Sequence, residues 1–118
     1  MSVLADVKNM LGIEWDNYDF DNELKIFINS ALSTLEMLGA PTRATVADQE
    51  ATWEQLLGPA NPPEIKAFVF AKVKLLFDPP QNAFLVTSMQ HQLDELSWRI
   101  AVHYSRYKGG VDLWKPLP

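Results

Sequence analysis

The side chains best suited to catalysis in this chain are its two histidines, His91 and His103. They are twelve residues apart on one predicted helix, which is about three turns, so they cannot share a ligand. The chain contains no cysteine, and no serine is placed with either histidine as a nucleophile is placed with its base. The sequence therefore predicts no catalytic residue, and we expect His103 in the core or in an interface.

A second candidate site is a group of carboxylates just before a predicted helix. Its members are Asp16, Asp19, Asp21 and Glu23. An EF-hand loop beginning at Asp19 needs glycine at position 24 and glutamate at position 30, where the chain has Leu24 and Ser30. We therefore expect no metal and no cofactor. Asp19 is interpreted as a helix cap, and the other carboxylates as favourable negative charge at a helix N-terminus.

Known catalytic motifs are also missing from the sequence. It has no glycine-rich phosphate loop, no G-x-S-x-G and no H-E-x-x-H. The sequence therefore disfavours an enzyme and favours a protein whose function is to bind other proteins.

Apolar residues recur at steps of three and four through most of the chain, which predicts an all-α fold. We expect a compact bundle of about four helices with a long C-terminal helix and a short extended tail. The helices are predicted over residues 3–11, 20–38, 62–77 and 82–107, with one short helix over residues 53–57. Residues 1–108 form one helical domain in this prediction, and residues 109–118 form a flexible tail. The helix over 62–77 is apolar around most of its circumference, which is typical of a central helix or one covered by another subunit.

A corner separates the two helices of the second half of the chain. The sequence Phe77-Asp78-Pro79-Pro80 ends the first of them, because proline lacks an amide donor and disfavours the α region at the preceding residue. The helix beyond the corner carries one apolar stripe. The stripe contains Val86, Met89, Leu93, Leu96, Ile100, His103 and Tyr107.

Three large side chains lie on the opposite face of this last helix. Phe84, His91 and Trp98 recur at intervals of seven residues, and large aromatic side chains away from a core need cover. Either the first helix or the segment over residues 40–61 covers this face within the chain, or a neighbouring copy covers it.

The tail offers a similar choice between two interpretations. It follows Gly109-Gly110 and holds Leu113, Trp114 and Leu117. Such a segment is either a frayed chain end or a hydrophobic anchor that inserts into a groove of a partner.

Composition limits the classes of partner. The chain has 118 residues, 47% of them hydrophobic, and 15 acidic residues outnumber 10 basic ones, which gives a net charge of −5. That charge offers no general electrostatic footprint for nucleic acid. No apolar run approaches the length of a membrane span, and no signal peptide is recognisable, so we expect a soluble intracellular protein.

Four stretches of the sequence resemble the head–tail connector proteins of long-tailed bacteriophages, which are also called adaptor or head-completion proteins. They are VLADVKNMLGI (3–13), DNYDFDNELKIFINSALSTLEMLGA (16–40), IKAFVFAKVKLLFDPPQ (65–81) and LDELSWRIAVHY (93–104). The corner LLFDPPQ is the most specific of these features.

This resemblance implies a non-enzymatic part of the virion neck, made in the host cytoplasm. Such a protein docks as a homo-oligomeric ring on the portal protein, extends the DNA channel, and joins the head to a tail-completion or stopper protein. Genomic DNA passes through without specific binding, and no membrane is a partner. By resemblance, the portal-binding residues are Tyr107, Leu113, Trp114 and Leu117, and the intersubunit residues are Phe84, His91 and Trp98.

The alternative is a small helical regulatory or nucleic-acid-binding module, with the two helices around the corner acting as a helix-turn-helix. Residues 82–98 contain no lysine or arginine, and Arg99 is the first cation of the last helix. Readers of bases and phosphates need donors near the start of the recognition helix, so the connector interpretation is preferred.

Overall fold

The computed structural model describes residues 2–40, 51–58 and 63–107, with side chains up to Tyr104. In those ranges the chain forms five α-helices, and its β-pairing is confined to an isolated bridge between Ser2 and Thr52. The helices are α1 (Val3–Leu11), α2 (Asp21–Met37), α3 (Trp53–Leu57), α4 (Pro63–Phe77) and α5 (Ala83–Tyr107). The all-α prediction is confirmed, and the predicted helix bounds agree with the observed ones to within about one residue.

Helix α1 begins and ends as its sequence predicts. The Ser2 hydroxyl accepts a hydrogen bond from the Ala5 amide at 3.1 Å, which satisfies one of the free donors of the first turn. Gly12 ends the helix at φ 78°, a left-handed conformation in which a residue with a Cβ is strained.

The start of α2 differs from the prediction. Asp19 was expected to cap this helix, but the N-cap is Phe20, which makes no side-chain capping hydrogen bond. Asn17 instead accepts from the Asp19 amide at 3.0 Å, so Asp19 belongs to the preceding turn. The Phe20 ring packs edge-to-face on Phe77 of α4 at 5.3 Å, and Asp21 supplies negative charge in the first turn. A tertiary contact therefore accompanies the helix start, where a local cap was predicted.

Helix α4 is the centre of the fold, as its nearly uniform hydrophobicity predicts. It packs against α1, α2 and α5, and its buried residues are Ile65, Phe68, Val69 and Val73. Helix α3 is held to this centre by Trp53, whose ring packs edge-to-face on Phe70 at 5.9 Å. The Trp53 indole also donates to Asp6 of α1 at 2.7 Å. A short helix with little surface of its own is thus fixed between two longer ones.

The corner between α4 and α5 forms at the prolines. Asp78 continues the hydrogen bonding of α4 by one residue, since its amide donates to the Lys74 carbonyl at 2.9 Å. The helix then ends. At the start of α5, the Asn82 side chain accepts a hydrogen bond from the Phe84 amide at 2.8 Å. Prolines stop one helix here, and an asparagine cap starts the next.

Helix α5 rests on the core through part of its predicted stripe. Ile100 is buried, while Leu93, Leu96 and Tyr104 are partly buried against the core. Near the corner the stripe is only half covered, because Val86 and Met89 lie at intermediate exposure.

Candidate protein-binding surfaces

The outer face of α5, defined by Phe84, His91 and Trp98, points to solvent. Phe84 is 76% exposed, Trp98 is 68% exposed, and His91 is also exposed. Helix α1 packs on α2 and α4 and leaves this face open, so cover by the first helix is wrong, whereas residues 41–50 and 59–61 of the alternative covering segment lie outside the described residues. Within the part of the chain that the structure describes, two large aromatic side chains are left in water on one helix face.

A groove lies between α4 and α5 next to the corner, with Thr34 of α2 at its edge. We call it the corner groove, and its volume is about 550 Å³. Two charged side chains, Lys72 and Asp94, line it together with polar residues of α5. Its apolar lining is formed by Phe68, Leu75, Leu76, Pro79, Val86 and Leu93.

Sequence reasoning missed this groove, because it assigned Val86 to the core. The signal that would have indicated it is the corner itself. A double proline at the crossing of two helices separates their apolar faces, and Leu76 just before it remains 43% exposed.

A buried lysine organises the connection between α1 and α2. Lys8 is 4% exposed, and its ammonium lies 3.0 Å from a carboxylate oxygen of Asp21. The same ammonium donates to the Trp15 carbonyl at 3.2 Å and lies 5.0 Å from the centre of the Tyr18 ring. Lysine is rarely buried without such partners, so these contacts fix the course of the loop.

Lys8 was not identified from the sequence. It follows Leu4 by four residues and Val7 by one, which places it on the buried side of α1. A lysine among apolar neighbours at helical spacing was the available signal.

The loop that Lys8 holds carries exposed aromatic and acidic side chains. We call residues 13–20 the acidic loop. Trp15 is 77% exposed and Tyr18 is 57% exposed, and Glu14, Asp16 and Asp19 are exposed beside them. The Trp15 backbone is thus anchored by Lys8, while its indole ring extends into solvent.

The carboxylates that the sequence places before α2 do not gather into one cluster. Asp21 turns inward to Lys8, whereas Asp16 and Asp19 remain exposed on the loop. Across residues 2–40, 51–58 and 63–107, no three His, Cys, Asp or Glu side chains gather as metal ligands do. The described helices also include none that is long and apolar enough to cross a membrane.

The second histidine lies near the C-terminal end of α5. His103 is half-buried, and its ring packs edge-to-face on Tyr104 at 4.9 Å. Burial raises the pKa of the Tyr104 phenol, because a charged phenolate would lose solvation there.

The structure does not describe the side chains that are expected to bind the portal. Tyr107 ends α5 but its side chain lies outside the described residues, as do Leu113, Trp114 and Leu117.

Comparison with models of known protein families gives a match. The model of a family described as phage connector protein matches residues 3–107. The match begins with α1 and ends with α5, so it covers all the described helices and leaves the tail outside. No curated protein and no solved structure matches the chain.

Proposed function

The chain belongs to the phage connector protein family, and from that premise we propose that it is a non-catalytic neck protein that forms a homo-oligomeric ring on the portal protein. Family membership supports a structural role in the phage neck and association with head or tail components. In the proposed assembly the ring extends the DNA channel and joins the head to a tail-completion or stopper protein. The protein acts in the virion neck after assembly in the host cytoplasm.

The observation that carries this proposal is the outer face of α5. From Phe84 to Trp98 the face extends for about 21 Å along the helix, at 1.5 Å per residue. Aromatic side chains bury roughly 150–250 Å² each when covered, and tryptophan is frequent among the residues that dominate binding energy. A neighbouring copy that packs on Phe84, His91 and Trp98 therefore removes from water the largest aromatic surface of this helix.

The proposed contact with the portal uses the end of the chain. Tyr107 is the last residue of α5, and beyond it the sequence places Leu113, Trp114 and Leu117 behind two glycines. A short apolar peptide on a glycine joint suits insertion into a groove of a partner. These residues are proposed as the portal anchor on the basis of their sequence and the family resemblance.

The charge of the chain fits a channel through which DNA slides. A net charge of −5 gives little attraction for phosphates, so the ring wall does not retard the DNA.

The alternative function, a helix-turn-helix module, needs lysine or arginine near the start of its recognition helix, and this chain has neither there. Arg99 is the first cation of α5, and its guanidinium is paired with Glu95 at 2.7 Å.

Mixing the 118-residue chain with portal rings of the same phage tests the proposal. Electron microscopy should show an added layer on one end of each portal ring. Trp98→Ala should weaken the closure of that layer, and Trp114→Ala should weaken its attachment to the portal. Leu85→Ala, a truncation of a half-exposed residue on a different face of α5, is the matched control and should leave the layer intact. A folded wild-type chain that stays unbound at high concentration contradicts the proposal.

A further inference from the structure

We propose that the acidic loop of one copy, with Trp15 at its centre, inserts into the corner groove of a second copy. This inference rests on the proposed ring, and it names two surfaces that meet at each junction of that ring. The occupant of the groove is thus a second copy of this chain.

The acidic loop is held in a form suited to insertion. Its backbone is tied down by the hydrogen bond from Lys8 to the Trp15 carbonyl and by the Lys8 contact with the Tyr18 ring. The Trp15 side chain nevertheless remains 77% exposed. An aromatic side chain on a loop that is already ordered binds with little further loss of conformational entropy.

The corner groove matches this loop in size, and its two charged side chains are Lys72 and Asp94. Its volume of about 550 Å³ is enough for an indole ring and part of the adjoining backbone, and Leu76 and Val86 give it apolar walls. The ion pairs of the described residues join Lys8 to Asp21, Lys74 to Asp78 and Arg99 to Glu95. Lys72 of the groove belongs to none of them.

The loop carries the opposite charge. Glu14 and Asp16 flank Trp15, are exposed, and also take part in none of those ion pairs. Insertion of Trp15 therefore brings unpaired carboxylates toward Lys72. Because Asp94 also lines the groove, these charges favour the orientation in which the loop carboxylates lie on the Lys72 side.

The two surfaces lie on opposite sides of α4. Phe68 and Lys72 face the corner groove, whereas Phe70 faces Trp53 and Phe77 faces Phe20 at the end of the acidic loop. At about 100° per residue, Phe70 and Phe77 are about 180–200° around the helix from Phe68. A copy therefore does not fill its own groove with its own loop.

One end of the acidic loop also lies at the same end of the molecule as the groove. Phe77, which contacts Phe20 at the end of the acidic loop, is two residues from Pro79, which lines the groove. Two complementary patches at one height on opposite sides of a protomer join copies head to tail. A head-to-tail contact closes into a ring when its rotation divides a full turn.

The inference agrees with the proposed role of the outer face of α5. Val86 of the groove is about 120° around α5 from Trp98, and Gln90 is about 80° from it, at about 100° per residue. One neighbour that inserts its loop into the groove can therefore also pack on the outer face.

Single cysteines test the contact, because the natural chain has none. Copies carrying Asp16→Cys are mixed with copies carrying Gln90→Cys, assembled with and without portal rings, and treated with a short bis-maleimide. We expect cross-linked dimers in the mixture and none in either variant alone. Gln92→Cys is exposed on a different face of α5, is the matched control for Gln90→Cys, and should give no dimer with Asp16→Cys.

A second variant measures the contribution of the indole. Trp15→Ala should leave the helical circular dichroism and the urea midpoint unchanged, because the ring is exposed, and should weaken self-association at least tenfold. Unchanged assembly of Trp15→Ala overturns the inference. Dimers from Asp16→Cys alone indicate a contact between two loops and also overturn it.

The proposed function and this inference fail in different ways. Rings that assemble on the portal without a cross-link between positions 16 and 90 overturn the inference and leave the proposed function standing. A chain that forms no ring with or without portal refutes both.

Discussion

Replacing Lys8 by methionine should strongly destabilise the fold. Methionine keeps an unbranched apolar chain on the buried side of α1 but removes the ammonium that binds Asp21 at 3.0 Å. The Asp21 side chain is only 7% exposed, so its carboxylate is left in the interior without its counter-charge. The Trp15 carbonyl also loses its donor.

The size of the expected loss of stability follows from the burial of the Lys8–Asp21 ion pair. Breaking a buried ion pair by removing one partner costs about 3–5 kcal/mol, whereas exposed pairs contribute about 0–1 kcal/mol. A domain is stable by about 5–15 kcal/mol, so the loss is a large fraction of the total. With a urea dependence of about 1–3 kcal/mol per molar, the unfolding midpoint should fall by at least about 1 M.

Urea unfolding followed by circular dichroism is the assay. Arg99→Met is the matched control, because it breaks an ion pair whose side chains are 55% and 60% exposed, and its midpoint should hardly move. Asp21→Asn alone should also be costly, since it leaves the ammonium buried. The double variant Lys8→Met with Asp21→Asn should cost about 1–3 kcal/mol less than the sum of the two single changes. Additive losses, or a Lys8→Met midpoint equal to that of Arg99→Met, would refute this reasoning.

Two further predictions concern α5. Ile100→Ala should cost about 2–5 kcal/mol of stability, because it leaves a cavity at a buried position. Trp98→Ala should change stability by no more than about 0.5 kcal/mol, because its ring is exposed. Equal losses of stability in urea unfolding would contradict the assignment of the two faces of α5. Burial raises the pKa of Tyr104 above its ordinary value of 10.0, so the folded state favours the neutral phenol, and this stability is lost as pH rises through the raised pKa. Tyr104→Phe should therefore lose less stability than wild type between about pH 8 and about pH 11, and equal losses would count against a partly buried phenol.

Much of the fold follows from local patterns. The spacing of apolar residues locates the helices, and Ser2 and Gly12 delimit α1 because capping depends on residues next to each other in sequence. The start of α2 shows where such patterns fail. Asp19 has the right side chain for a cap, yet the chain places Phe20 there, with its ring against Phe77 from the far side of the sequence. Contacts between distant residues are not visible in local spacing.

The binding surfaces also differ in how far they could be predicted from the sequence. The outer face of α5 could be predicted, because an interval of seven residues places side chains on one face wherever the helix lies. The corner groove could not, since its size depends on how far α4 and α5 separate after Pro79 and Pro80. The ordering of the acidic loop depends on Lys8, whose partners become known only when α1 and α2 are packed together.

Imaging the neck of purified virions by electron cryomicroscopy tests the central claim most directly. We predict a ring layer between the portal and the tail into which α1 to α5 fit as repeated copies, with α5 of each copy against its neighbour. Mass spectrometry of the same particles should detect this chain in multiple copies. Necks whose density is fully explained by other proteins, in virions that lack this chain, would contradict the claim.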